Sequence, residues 1–286
     1  MRLASAKIGG EEVAIVIREG RALPVAEVPN PEGWPMDLLS LIEGGGIGDL
    51  RRRWDAISEK EIEDLMARSI PASDLVYAPL YRRPRKIWGI GLNYVEHAGD
   101  LDETAPSEEP ASFMRPDTTI IGPGDEILLP DQSQRVTVEA ELGVVIGREA
   151  KDVSEEDAPS VIAGYTTILD VTAEDILRKN PRYLTRAKSF DTFFSFGPHL
   201  LTPDEVGEVA ELEVATVVNG EVRRTNTVSN MTFSPHNLVS FHSRVMTLLP
   251  GDVISTGTPG AVVVESGDVA ECRIGGFGAL VNPVRR

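Results

Sequence analysis

A single cysteine, Cys272, stands among 286 residues, so no internal disulfide can form and a reducing setting, the cytoplasm, is expected. Histidine is also scarce, with four copies, and His199, His236 and His242 lack the mutual spacing of a metal site. They read as structural. No apolar run approaches the roughly 18 residues that a membrane-spanning helix needs. The longest, such as Val13 to Ile17 and Leu142 to Ile146, are strand-length. No basic stretch followed by an apolar segment and a cleavage site opens the chain, so secretion is not expected. Basic side chains are in deficit: 28 Lys and Arg against 45 Asp and Glu give a formal charge of −17. Such a surface repels phosphate backbones, which argues against a nucleic-acid partner, and it attracts cations. Solubility alone accounts for most of these charges.

Several signatures of common chemistries are also missing. Gly89 and Gly91 begin a dinucleotide-binding pattern, but Tyr94 stands where its third glycine belongs. The glycines at 44, 45, 46 and 48 lack the Lys-Ser/Thr of a phosphate loop and read as a flexible turn. There is no G-x-S-x-G elbow and no H-E-x-x-H zinc helix. Phe190, Phe193, Phe194 and Phe196 read as core rather than as a cofactor box.

What is present is an ordinary globular composition, 41% apolar, without repeats or low-complexity tracts. The pattern predicts an α+β protein. Residues 1–80 form a small N-terminal α+β domain: short strands around Gly9-Gly10 and Glu19-Gly20, then helices near Met36 to Ile42, Leu50 to Ile57 and Glu59 to Ser69. Ser58 with Glu61 makes a capping-box pattern for the last. A proline-punctuated stretch, Pro71 to Pro84, marks the boundary to residues 81–286. That second domain alternates β-branched runs with glycine turns, and helices are expected near Ser154 to Ile162 and Pro235 to Leu248.

Val136 to Gly147 carries the most information. Strand side chains alternate faces, so Val136, Val138, Ala140, Leu142, Val144 and Ile146 share an apolar face. Glu139 and Glu141 project together from the other. Carboxylates two residues apart on a strand lie about 7 Å from each other and repel by roughly 2 kcal/mol at an effective dielectric near 20. On an open surface water dissipates that cost, and the pair is then ordinary. In a cleft, a hard cation converts repulsion into ligation. Asp170, near the end of the strand-like run Tyr165 to Val171, is either a third ligand or a cap for the helix that follows. The three together make an all-oxygen set suited to Mg²⁺ or Mn²⁺.

The order of motifs resembles the fumarylacetoacetate hydrolase family. The resemblance rests on Gly89-Ile90-Gly91-Leu92-Asn93-Tyr94-x-x-His97, then Glu139-Ala140-Glu141-Leu142-Gly143, Ala163-Gly164-Tyr165 through Asp170, and Lys188-Ser189-Phe190-Asp191. Val218-Asn219-Gly220-Glu221 and Pro250-Gly251-Asp252 through Thr256-Gly257-Thr258-Pro259 complete it. It implies a C-terminal mixed β-roll behind a small N-terminal domain, a homodimer, and one Mg²⁺ or Mn²⁺ per subunit on Glu139, Glu141 and Asp170. It also implies His97 as a base on a mobile lid, and Lys188, Thr258, Tyr165 and Arg115 at the substrate. Four places depart from the family pattern: Asp100 for the usual glutamate after the histidine, Arg115 for lysine, Glu174 and Leu177 for an arginine and a glutamine, and Gly260-Ala261-Val262 for glycine-valine-glycine.

The expected reaction is hydrolysis of a C–C bond in a small acylpyruvate-like diketo or 2-oxo acid. In it His97, oriented by Asp100, activates water, and Lys188 neutralises oxyanion charge. Isomerisation, decarboxylation or sugar-acid dehydration through an enolate at the same site is the alternative, and a non-catalytic ligand-binding dimer is a third reading. Asp100 to Pro110, acidic and almost without apolar anchors, is expected to be a lid.

Overall fold

A computed structural model describes residues 1–95 and 106–286. His97, Asp100 and most of the expected lid lie outside the described residues.

The N-terminal hairpins form where the glycine turns predict them. Arg2–Ile8 pairs antiparallel with Glu11–Arg18, and Glu11–Arg18 with Arg21–Pro24. Three helices follow, Leu38–Glu43, Gly46–Ala56 and Glu59–Ala67. Ser58 and Glu61 make the reciprocal capping box. The glycine run before them is not a loose turn. Gly45 takes a left-handed conformation, and the next helix starts at Gly46, where a Cβ would lie 2.7 Å from Leu41 Cδ1. The glycines let two helices join at a tight corner.

The N-terminal strands continue into the rest of the molecule, because Arg2–Ala4 pairs antiparallel with His199–Leu201. The resulting sheet has 13 strands and a second has five, among the described residues. At the centre of the larger sheet Val136–Ile146 runs antiparallel to Ile162–Ala173. The apolar face expected for Val136–Ile146 is buried in one core with Val214, Cys272 and Leu280 of the five-stranded sheet. The opposite face meets a second core, where Val145 and Ile168 join Leu41, Leu50 and Trp54 of the N-terminal helices. Phe193, Phe194 and Phe196 are fully buried and Phe190 packs against Phe193, so the four belong to the core as the sequence predicts.

Two expectations need correction. The helix expected from Ser154 to Ile162 is a single 3₁₀ turn, Ala158–Val161, with Pro159 near its start. Proline disfavours helix for the residue before it, and the β-branched run after it is drawn into Ile162–Ala173. The later helix, Pro235–Val245, capped by Ser234, ends short of the expected Leu248. No helix among the described residues is long and apolar enough to cross a membrane.

Candidate metal centre

Register brings the three acids together. Asp170 stands directly opposite Glu139 in the central ladder, and Glu141 opposes Ile168, so all three carboxylates share the face opposite Val138, Ala140 and Leu142. Asp170 lies inside the strand Ile162–Ala173, and the following helix, Glu174–Lys179, receives no side-chain cap; the capping alternative is thereby removed. Oxygens of the three carboxylates lie within 4.8 Å of one another, and the residues are 8%, 1% and 1% exposed.

Two cations are built into the cluster. Lys188 ends the helix Leu184–Lys188 and places Nζ 3.0 Å from Glu139 Oε2 and 3.0 Å from Asp170 Oδ1. Arg115, on the strand Ala111–Arg115, ion-pairs with Asp170 from behind. Its guanidinium also donates to the carbonyls of Lys188 and Phe193. Phe113 and Phe194 flank it, 5.8 and 5.5 Å from their ring centres. Neutral donors complete the shell. Thr172 Oγ1 donates to Glu139 Oε1 at 3.0 Å. Ser255 Oγ and the Gly257 N–H both donate to Glu141 Oε2, at 2.5 and 2.9 Å.

Burial, with Asp170 and Glu139 beside it, raises the Glu141 carboxyl to about 8, although Lys188 opposes the shift. Burial alone would depress the Lys188 ammonium, but Asp170 and Glu139 outweigh it and hold its pKa above normal. With all three carboxylates ionised, two cations leave one negative charge uncompensated in a buried place, and the raised Glu141 pKa is the expression of that deficit.

The residues fit a hard divalent cation. An octahedral oxygen shell of about 2.1 Å radius spans roughly 4.2 Å, close to the spread of the carboxylate oxygens. Two of the acids retain an oxygen with no donor among the described contacts, Oδ2 of Asp170 and Oε1 of Glu141, while Glu139 divides its two between Thr172 and Lys188. Among the described residues no nitrogen or sulfur ligand joins the group, which favours magnesium or manganese over zinc.

The other predicted site residues divide. Arg115 and Lys188 converge on the acids. Thr258 is buried next to Gly257, but its hydroxyl is engaged in a local turn with Gly260. Tyr165 is not brought to the cluster. Strand alternation puts it, with Leu169 and Val171, on the core face, where its hydroxyl lies 3.1 Å from His236 Nε2. At the departures noted above, Glu174 is buried and pairs with Arg135 and Arg178, and Leu177 packs on the core. Sequence reasoning missed Thr172, Ser255, Gly257 and Asn93. Only Thr172 had a local signal, since it is two residues from Asp170 on the same face.

A mixed-sheet fold with a buried, all-oxygen carboxylate trio and a lysine among it defines a class of domains whose acids could hold a metal ion. Residues 86–285 match the C-terminal domain of fumarylacetoacetate (FAA) hydrolase, and the chain belongs to that family. A human mitochondrial protein named oxaloacetate tautomerase FAHD2A is 38% identical over 224 residues, which cover 75% of this chain and 71% of that protein. The solved structure of 5-carboxymethyl-2-hydroxymuconate delta-isomerase from Mycobacterium smegmatis superposes with a TM-score of 0.77 at 34% identity, covering 100% of this chain and 99% of that one. Maleylpyruvate hydrolase from Sphingobium sp. SYK-6, solved with manganese (II) and pyruvate, gives 0.81 at 27% identity, with the same coverage. Relatives therefore include hydrolase, isomerase and tautomerase members.

Proposed function

We propose that this protein is a divalent-metal-dependent enzyme that generates and stabilises the enolate of a small 2-oxo or diketo acid. The observation carrying this reading is the buried trio Glu139, Glu141 and Asp170, whose oxygens converge and whose charge, once all three are ionised, exceeds that of Lys188 and Arg115 by one. Mg²⁺ or Mn²⁺ held there supplies Lewis-acid polarisation of adjacent substrate oxygens. With such an ion the site becomes net positive and suits an anionic acid.

The chain's own groups then have distinct tasks. Lys188 is held over the cluster by two carboxylates, with Phe113 5.3 Å from its ammonium. It stays protonated there and neutralises charge developing on a substrate oxygen. Arg115 is fully engaged behind Asp170, so it fixes that ligand and the Lys188 backbone rather than gripping substrate. Thr258 and the Gly257 backbone bound the same side of the site as Glu141. His97 is the base, with Asp100 orienting it. In the hydrolytic outcome it takes a proton from water, which attacks the distal carbonyl, and the C–C bond breaks toward the enolate.

Tautomerisation or isomerisation is the second reading, favoured by a particular observation: relatives named for those reactions are 38% and 34% identical, against 27% for the hydrolase. Exposed apolar side chains on the five-stranded sheet, among them Val222, Val269 and Val281, support assembly as a homodimer. The lone reduced thiol supports a cytoplasmic place of action. The deciding experiment is a panel of 2-oxo and diketo acids with Mg²⁺ or Mn²⁺, following enol absorbance and identifying products. Cleavage products establish hydrolysis, and interconversion without cleavage establishes the second reading. No metal-dependent change in any of them would refute both.

A further inference from the structure

Asn93 follows the strand Ile87–Gly91 and is 1% exposed. Its Nδ2 donates to the Thr256 carbonyl at 2.7 Å and the Phe233 carbonyl at 3.0 Å, and its Oδ1 accepts from the Phe233 N–H at 2.9 Å. All three hydrogen-bonding positions of the amide that the fold reaches are thus taken by backbone more than a hundred residues away.

One of those partners matters beyond packing. The Thr256 carbonyl and the Gly257 N–H belong to a single peptide group, which is planar and trans, so they point in opposite directions. Asn93 holds the carbonyl end. The N–H end donates to Glu141 Oε2 at 2.9 Å. Gly257 has φ of +97°, and a Cβ on it would lie 2.8 Å from Asn93 Cβ. A glycine in that region has little intrinsic preference between peptide orientations. With the plane reversed, a carbonyl oxygen would face the Glu141 carboxylate in place of a donor.

We infer that Asn93 is a positioning residue for the metal centre: it fixes the Thr256–Gly257 peptide so that its N–H holds one oxygen of Glu141 and leaves the other for a cation. This rests on the reading that the acid trio binds a divalent metal. Partners of a metal's ligands typically contribute about 10- to 100-fold in metal affinity.

The test is Mn²⁺ binding to the full chain, measured by calorimetry or by the spin-resonance signal of free Mn²⁺. Wild type, Asn93→Ala and Asn93→Asp are compared, with melting curves recorded in EDTA. Asn93→Asp keeps the shape but turns an acceptor toward two carbonyls. The expected result is Mn²⁺ affinity weakened by about 10- to 100-fold in variants that still melt cooperatively. A cooperatively folded variant that binds Mn²⁺ as tightly as wild type overturns the inference while leaving the metal reading intact. Wild-type protein that does not bind Mn²⁺ overturns both. Should neither variant fold, hydrogen exchange in the wild type decides: a protected Gly257 amide agrees, and one that exchanges as freely as a surface loop refutes the clamp.

Discussion

Replacing Glu141 with glutamine should make the protein more stable in EDTA and less stable in manganese, and the crossing of those two effects is the test. Glu141 is 1% exposed, and burial beside Asp170 and Glu139 raises its carboxyl from an ordinary 4.5 to about 8. The folded metal-free protein therefore holds this proton more tightly than the unfolded chain. Between pH 4.5 and 8 the native state binds more protons, so stability is fully present below 4.5 and falls as pH rises toward 8. At pH 7 the loss spans about 2.5 pH units, or roughly 3 kcal/mol at about 1.4 kcal/mol per unit. Glutamine has no charge to form, and its carbonyl still accepts from Ser255 and Gly257. Glu141→Gln in EDTA should thus gain about 2–3 kcal/mol at pH 7, a rise in Tm of roughly 5–10 °C, and should be nearly level with wild type at pH 4.5. Manganese reverses the order. At a concentration 100 times its Kd, a ligand stabilises the native state by about 2.7 kcal/mol, which wild type receives and the variant largely loses. The assay is thermal or urea unfolding at pH 4.5, 7 and 8, with EDTA and with MnCl₂. A variant less stable than wild type in EDTA at pH 8, with an unchanged response to manganese, would refute both the charge argument and the ligand assignment.

Other expectations follow from separate parts of the molecule. His97→Ala should lower turnover by roughly 10²- to 10⁴-fold with Mn²⁺ affinity unchanged, and Asp100→Asn should lower it less, if water attack is the reaction; cleavage by His97→Ala at the wild-type rate would refute His97 as the base. Burial pushes His199 down to about 4, with Arg2 adding to the effect. Its contribution is thus present above pH 6.5 and lost as pH falls toward 4, about 2 kcal/mol by pH 5. His199→Gln should flatten that acid limb in urea melts at pH 7 and 5, and an unchanged slope would count against it. Gly164→Ala would place a Cβ 2.4 Å from the Leu201 carbonyl oxygen and should cost about 1–3 kcal/mol in chemical denaturation, without altering the Kd for Mn²⁺.

How much of this was legible in the sequence depends on whether a signal was local. The phase of Val136–Ile146 could be read directly, because alternation along one strand already separates Glu139 and Glu141 from the apolar face. The capping box at Ser58 was equally readable, since all of its bonds lie within four residues. Asp170 was ambiguous for a physical reason. An acid near the apparent end of an apolar run looks the same whether it caps a helix or opposes a glutamate, and only the register with Glu139 separates the two. Tyr165 shows the limit of motif reasoning: the family resemblance implied a place at the substrate, while the parity of five positions from Asp170 sends it to the core face. The turn at Ala158–Val161 shows the reverse case, in which tertiary pairing of the following strand overrides a helical pattern.

The donors that shape Glu141 were not legible, because they come from Ser255 and Gly257, more than a hundred residues away, and their bonds exist only once Val253–Ser255 has paired with Val136–Ile146. That pairing also has an energetic logic. A carboxylate buried as deeply as Glu141 costs several kcal/mol unless hydrogen bonds or a cation offset it. Two donors on one oxygen meet part of that cost, while Lys188 and Arg115 compensate charge at Glu139 and Asp170. The remainder is left at the face where the three acids converge. A fold that had only to be stable would place an apolar residue at 141, as it does at every position on the opposite face of the same strand. Retaining an under-compensated acid there is what a site completed by a cation, as proposed above, requires.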